Sequence, residues 1–312
     1  MHLIIDCITF TALLSSLAAA AGTLGFDLGS KRADGSCKLQ TDYEADMQAI
    51  KKESGSELVR IYAADQCNTA KEILPAAKSQ GFQVVLGIWV LTVESRPDLE
   101  ESYTVDKLAV LQHDTAYASQ IYAVTVGSET LYRRNFTGPE LAAKMNDFRV
   151  SAPGVRVGTA DSWNKFQDGT ADAVVNTADL VLVNAFSYWQ KQAVDNATAT
   201  LFDSIAQAYL HVEERARVSK MPELWVGETG WPSEGSSYGN AKPGKVQAEQ
   251  IYQEAVCGMI GWGYNVFVFE AFDEPWKPNA VGEDGVEAPE GHWGVMTADR
   301  RAKFSLRCEE GS

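Results

Sequence analysis

Trp225-Val-Gly-Glu228-Thr-Gly-Trp231-Pro232 is the stretch that decides the fold of this chain. An apolar run breaks at a glycine, delivers a carboxylate and turns at Gly-Trp-Pro. Upstream the same phrase occurs as Val124-Thr-Val-Gly127-Ser-Glu129-Thr130. Twice, a short strand of the buried type ends in Val-Gly and presents a glutamate at its C-terminal tip. Two such carboxylates are what cleavage of a glycosidic bond requires: one protonates the leaving oxygen, the other attacks the sugar or activates water.

Outward from these phrases the chain alternates. Short runs rich in Val, Ile, Leu and Phe predict strands over 24–28, 58–62, 83–89, 123–127, 155–159, 180–184, 223–227 and 265–269, as for strands buried on both faces. Between them helical spacing predicts helices over 42–53, 69–80, 105–119, 201–215 and 245–259. Another opens at the cap-like Thr137-Gly-Pro139-Glu140. Eight strands alternating with helices predict an α/β fold, a (β/α)8 TIM barrel, as one catalytic domain over residues 21–312. Function in such barrels gathers at the C-terminal ends of the strands. Glu129 ends the fourth predicted strand and Glu228 the seventh, so both fall at the barrel mouth. A lone glutamate after a strand is ordinarily a solvated loop residue; two sharing one preface at one mouth are not.

The motifs Val126-Gly-Ser-Glu129, Trp225 to Pro232 and Phe269-Glu-Ala-Phe-Asp-Glu-Pro-Trp-Lys277 resemble glycoside hydrolase family 17. The likeness is greatest to its fungal cell-wall β-1,3-glucanases and glucanosyltransferases. It extends to Asp34-Gly-Ser-Cys37-Lys38, Val157 to Trp163, Asn184-Ala-Phe-Ser-Tyr-Trp189 and His292-Trp-Gly-Val295, and so covers nearly the whole chain. The resemblance implies a mechanism that retains anomeric configuration, with Glu129 as acid/base and Glu228 as nucleophile. Ser128 stands where many barrel glycosidases carry an asparagine that contacts the sugar 2-hydroxyl; the fungal branch shares the serine. It also implies that Glu274 and Lys277 line the donor side, with Glu290 a weaker candidate. Glu270 takes no role at this stage.

Sugar rings stack on aromatic faces while their hydroxyls seek fixed polar groups. Strand ends supply Tyr62, Trp89, Asp161, Trp163, Asn184, Trp231, Phe272 and Trp276 as substrate-binding candidates. Tyr188 is the candidate hydroxyl donor to Glu228. No cofactor and no metal are expected. The four histidines are scattered without metal-ligand spacing, and there is neither a phosphate-cradling glycine loop nor a G-x-S-x-G elbow.

Residues 1–20 read as a cleaved signal peptide: an apolar core, then Ala18-Ala-Ala-Ala21, although no Lys or Arg precedes the core and Asp6 interrupts it. Cys7 leaves with that leader, and four cysteines remain. An even number in an exported chain predicts two disulfides, with three possible pairings. Cys37–Cys67 and Cys257–Cys308 are favoured because each joins neighbouring segments of the barrel. Asn135-Phe-Thr and Asn196-Ala-Thr are glycosylation sequons. The net charge of −15, dispersed along the chain, opposes binding to nucleic acid or to an anionic membrane and suits a neutral polysaccharide. The C-terminus lacks the apolar tail of a lipid-anchor signal.

The resulting expectation is a secreted, monomeric cell-wall enzyme cleaving β-1,3-glucan through a covalent glycosyl-enzyme, with glucanosyltransferase activity. The alternative is a wall-associated glucan-binding protein with little or no catalysis.

Overall fold

A computed structural model describes residues 21–89, 96–216, 220–282 and 284–308. The predicted leader lies outside the described residues. Eight parallel strands close into a barrel in sequence order: β1 (Leu24–Asp27), β2 (Leu58–Arg60), β3 (Gln83–Ile88), β4 (Ile121–Ser128), β5 (Val157–Ser162), β6 (Leu180–Asn184), β7 (Glu223–Thr229) and β8 (Asn265–Val268). Registry of Leu24 with Val266 and of Phe26 with Val268 joins β1 to β8, so the barrel has no open edge. The TIM-barrel expectation is met.

Helices alternate with the strands: α1 (Gln40–Ser54), α2 (Thr69–Gln80), α3 (Arg96–Leu111), α4 (Gly138–Ser151), short α5 (Trp163–Gln167) and α6 (Asp172–Val175), α7 (Val194–Arg215), and α8 (Lys245–Ile251). α8 runs through a π-turn at Tyr252–Cys257 into α9 (Gly258–Gly261). The Thr137–Glu140 signal is a capping box: the Thr137 hydroxyl accepts from the Glu140 amide, and the Glu140 carboxylate accepts from the Thr137 amide. α3 departs from its predicted span. It begins nine residues earlier than 105 and ends at Leu111, with Val105 and Leu108 exposed and Leu99, Tyr103 and Val110 buried. Of the apolar residues that marked the predicted helix, Leu108 is exposed and Leu111 packs against the core, so the prediction is displaced towards the C-terminus.

Two cores result. A small inner one fills the barrel with Leu58, Val85, Ala123, Ala160, Leu180, Leu182, Trp225 and Phe267. Trp225 and Phe267 stack at 4.9 Å, and Gly25 leaves room for the Phe267 ring, which a Cβ would meet at 2.4 Å. The larger core lies between sheet and helices, where each fully buried Val, Ile or Leu contributes about 1.5–3 kcal/mol. Disulfides join Cys37 to Cys67 and Cys257 to Cys308, as expected. Among the described residues no helix is long and apolar enough to cross a membrane. Beyond β8 a two-stranded hairpin, β9 (Ala280–Val281) and β10 (Glu287–Ala288), was not anticipated.

Candidate active site

The repeated Val-Gly phrase has two physical meanings. Gly127 sits at φ +78, a left-handed conformation open to glycine, and there the β4–β5 register slips between Thr125 and Ser128. Glu129 follows at φ +53, a strained value for a residue with a side chain. Gly227 is needed for space: a Cβ there would lie 2.6 Å from Asn184 Oδ1 and 2.7 Å from Leu182 Cβ. The β7–β8 register slips between Val226 and Thr229. Each slip re-aims the glutamate that follows or falls within it, and both glutamates line one cleft of about 960 Å³ at the barrel mouth.

Each carboxylate is gripped by an arginine. Arg60, wholly buried at the end of β2, donates from Nη1 to Glu228 Oε1 (2.9 Å), Gly227 O (3.1 Å) and Asp27 Oδ1 (3.2 Å). Its Nη2 donates to Ser128 Oγ (3.1 Å), and its guanidinium stacks 4.7 Å above the Tyr62 ring. Ser128 in turn donates to Glu228 Oε1 at 3.4 Å, so the serine supports the carboxylate of β7. Arg133 Nη2 pairs with Glu129 Oε2 (3.0 Å), its Nη1 donates to Ser128 O (2.7 Å), and it lies 4.9 Å over Trp89. Asn184 Nδ2 reaches Glu129 Oε1 at 3.4 Å. Desolvation, then the charge of Glu228, raise the Glu129 carboxyl above its ordinary range; the charge of Arg133 opposes them. Glu129 is thereby biased towards its protonated form beside an arginine-held Glu228.

Glu270, buried two residues beyond β8, accepts on both carboxylate oxygens from Lys277 Nζ (2.9 and 2.8 Å), which also pairs with Glu274 at 2.6 Å. Burial, then the neighbouring Glu274 charge, push the Glu270 carboxyl well up. Glu290 also lines the cleft, with its carboxyl pushed up to about 7, chiefly by burial.

Tyr62, Trp89, Ser128, Trp163, Asn184, Glu274, Trp276 and Lys277 line the cleft with Glu129 and Glu228. Several carry buried polar atoms without a protein partner: Tyr62 Oη, Asn184 Oδ1, Glu274 Oε1 and Trp276 Nε1. Such atoms are costly unless a ligand satisfies them.

Four candidates are corrected. Tyr188 does not touch Glu228; it is buried against Trp231 and Trp293 and donates to Ser236 O at 3.0 Å. Asp161 lies beneath the cleft, where it accepts the amides of Leu131 (2.8 Å), Tyr132 (3.2 Å) and Ser162 (2.9 Å). It fastens the turn that carries Glu129, and burial raises its carboxyl to about 7. Trp231 is buried with its indole N–H on Lys242 O, and Phe272 is buried beneath Lys38. Asp106 on α3, raised to about 7 chiefly by burial, plays a part like that of Asp161. It accepts the amides of Asp65 and Trp89, each at 2.6 Å, tying the loops after β2 and β3 together.

Arg60 and Asp27 escaped the sequence reading, yet each is a charge inside an apolar strand. A buried charge demands a partner, and that demand was the available signal. Arg133 carried a weaker one, four residues after Glu129.

Residues 25–294 match the model of the BtgE/BtgC glycoside hydrolase domain. The chain is 49% identical to a glucan 1,3-beta-glucosidase of Arthroderma benhamiae, covering 96% of this chain and 95% of that one. It is 41% identical to the glucan 1,3-beta-glucosidase of Saccharomyces cerevisiae, with the same coverage. The crystal structure of a glycoside hydrolase family 17 beta-1,3-glucanosyltransferase from Rhizomucor miehei superposes with a TM-score of 0.75 at 28% identity, over 93% of this chain and 98% of that one. An active-site mutant of the Rhizomucor enzyme, in complex with laminaritriose, gives the same score. Sequence motifs, closed barrel and paired carboxylates agree with these likenesses: the chain belongs to the BtgE/BtgC glycoside hydrolases, the fungal β-1,3-glucan enzymes of family 17.

Proposed function

We propose that this protein is a secreted, monomeric cell-wall enzyme that cleaves β-1,3-glucan with retention and passes the donor sugar to water or to another glucan. The observation that carries the reading is the opposed pair in one cleft: Glu228 held by Arg60 and Ser128, and Glu129 with its carboxyl raised by burial and by Glu228. In the first step Glu228 attacks the anomeric carbon, the glycosidic C–O bond breaks, and Glu129 gives its proton to the leaving oxygen. Glu228 is then an ester and no longer repels the charged form of Glu129. The Glu129 carboxyl falls in pKa and acts as base for the incoming water or sugar hydroxyl. The unpartnered Tyr62, Asn184, Glu274 and Trp276 atoms supply hydrogen bonds for sugar hydroxyls, and Trp89 and Trp163 offer ring faces.

Relatives named as glucan 1,3-beta-glucosidases and a neighbour solved with laminaritriose support β-1,3-glucan as substrate. The leader-like residues 1–20 and the two disulfides support export. Asn196 of the second sequon is exposed in the first turn of α7, with its amide nitrogen donating to Gln192 Oε1 (2.9 Å) and Thr200 Oγ1 (3.1 Å). A purely glucan-binding role would leave the strained Glu129 and the buried Arg60 network without a purpose.

Azide tests the assignment. Glu129→Ala should lose activity on glucan and regain turnover of an activated aryl glycoside with azide, giving the β-glycosyl azide. Rescue of the Glu228 variant alone, with an α-azide product, would exchange the two roles.

A further inference from the structure

One wall of the cleft is tied together in a way that cleavage does not require. The β9–β10 hairpin rises from the loop after β8, and its Val281, Gly282 and Asp284 line the cleft beside Lys191 and Tyr238. Asp284 is bound three times: Lys191 forms an ion pair with its Oδ2, while the Tyr238 hydroxyl (2.9 Å) and, within the hairpin, the Val286 amide (3.1 Å) donate to Oδ1. Lys191 also lies 5.1 Å over the Tyr238 ring. The loops after β6, β7 and β8 are thus joined through one carboxylate.

The backbone is built for this contact. Lys191 sits at φ +60, a left-handed conformation that costs a non-glycine residue about 1–2 kcal/mol. Two glycines permit the close approach. A Cβ on Gly239 would meet the Lys191 side chain at 2.6 Å, and one on Gly282 would meet the Tyr238 hydroxyl at 2.2 Å. Beneath the tie lies a rigid base in which Tyr188, Trp189, Tyr238 and Trp293 pack ring against ring. The Lys191 contact, with the Tyr238 hydroxyl behind it, keeps the Asp284 carboxyl down at about 2, so the tie stays charged across the acid range.

We propose that the Lys191–Asp284–Tyr238 tie makes the β9–β10 hairpin a fixed end-wall against which a glucan chain is measured, so that one product length dominates. This rests on the β-1,3-glucanase reading. The number of sugar rings that fit between the wall and the Glu129–Glu228 pair sets where the chain is cut. Opening the wall lets the chain slide past it and spreads the cuts. Asp284 and Lys191 are in this view specificity residues with no part in bond cleavage.

The test is a ladder of reduced β-1,3-glucooligosaccharides, with products separated by length and new reducing ends counted in parallel. Wild type should give one dominant initial product. Asp284→Ala should lower its share about two- to five-fold, the range expected from losing a partly exposed tie. Asp284→Asn, which keeps an acceptor for Tyr238 but loses the ion pair, should fall between them. Salt at 1 M, which screens exposed charge, should move wild type towards Asp284→Ala and leave that variant unmoved. A wild-type distribution without a dominant length, or one unchanged in both variants, overturns the end-wall. Absence in wild type of any product shorter or longer than the substrate, whether from hydrolysis or from transfer, overturns the glucanase reading instead, so the two failures are distinct. Thermal melts of both variants guard against misfolding.

Discussion

Asp161→Asn is the sharpest probe of how the fold holds its acid. The carboxylate accepts Leu131 N–H on one oxygen and the Tyr132 and Ser162 amides on the other. An asparagine keeps the shape and one accepting oxygen but turns an NH2 group towards one of those donors. One buried amide is left unsatisfied, at a cost of about 1–3 kcal/mol. The turn it fastens begins at Glu129, whose φ of +53 the chain does not adopt unaided. Relaxation there displaces the acid, and a misplacement of about 1 Å costs on the order of 100-fold in rate. Expected is a fall of about 10- to 100-fold in kcat/KM on β-1,3-glucan. On an activated aryl glycoside, whose leaving group needs little protonation, kcat/KM should fall less than about five-fold. Equal losses on both substrates would refute the argument, since damage to Glu228 or to general folding affects both alike.

Arg60→Lys keeps the charge but loses the fork that holds Glu228, Gly227 and Ser128 at once; kcat should fall about 10- to 200-fold on every substrate, glucan and aryl alike. Tyr188→Phe should leave kcat within about two-fold and lower stability by about 1 kcal/mol, because its hydroxyl serves Ser236; a hundred-fold loss would return it to the catalytic centre. Burial holds Asp106, Asp161 and Glu290 up at about 7, whereas in the unfolded chain they titrate near 4. Between those values the folded protein keeps protons that the unfolded chain releases. Their contribution to stability is therefore full below about pH 4 and is lost as pH rises through 7. Thermal melts at pH 5 and 8 should show the higher midpoint at pH 5, with a smaller difference in Asp106→Asn. Replacing Cys257 and Cys308 by serine reopens a loop of 51 residues, which chain entropy values at about 4 kcal/mol; denaturant titration measures it.

The barrel was legible because most of its strands are short runs rich in Val, Ile, Leu and Phe and its two functional tips repeat one phrase. The β6 prediction over 180–184 and the α2 prediction over 69–80 match the observed spans. Each lies in a segment where local pattern and tertiary burial agree. Strand position marked Glu129, Glu228, Asn184 and the cleft tryptophans. It failed for Trp231, Phe272, Tyr188 and Asp161, because position at a strand end fixes height in the barrel but not which way a side chain points. Trp231 and Tyr188 turn outward into an aromatic cluster, and Asp161 turns to the amides after β4. The Arg60 hub joins residues from β1, β2, β4 and β7, a closeness that depends on barrel closure and is invisible along the chain. The hairpin after β8 was missed because its strands are two residues each, too short to show a period.

Both ends of the described chain are fastened to the same corner of the barrel. Near the start, Gly22 N–H donates to Ile260 O at 2.8 Å, and near the finish Cys308 is bonded to Cys257, three residues away along the helix. The Tyr252 hydroxyl adds a bond to Leu306 O at 2.9 Å. The shortest mechanical connection between the two ends therefore runs from Gly22 through residues 260 to 257 and on to Cys308. That connection crosses neither β4 nor β7, the strands that carry Glu129 and Glu228.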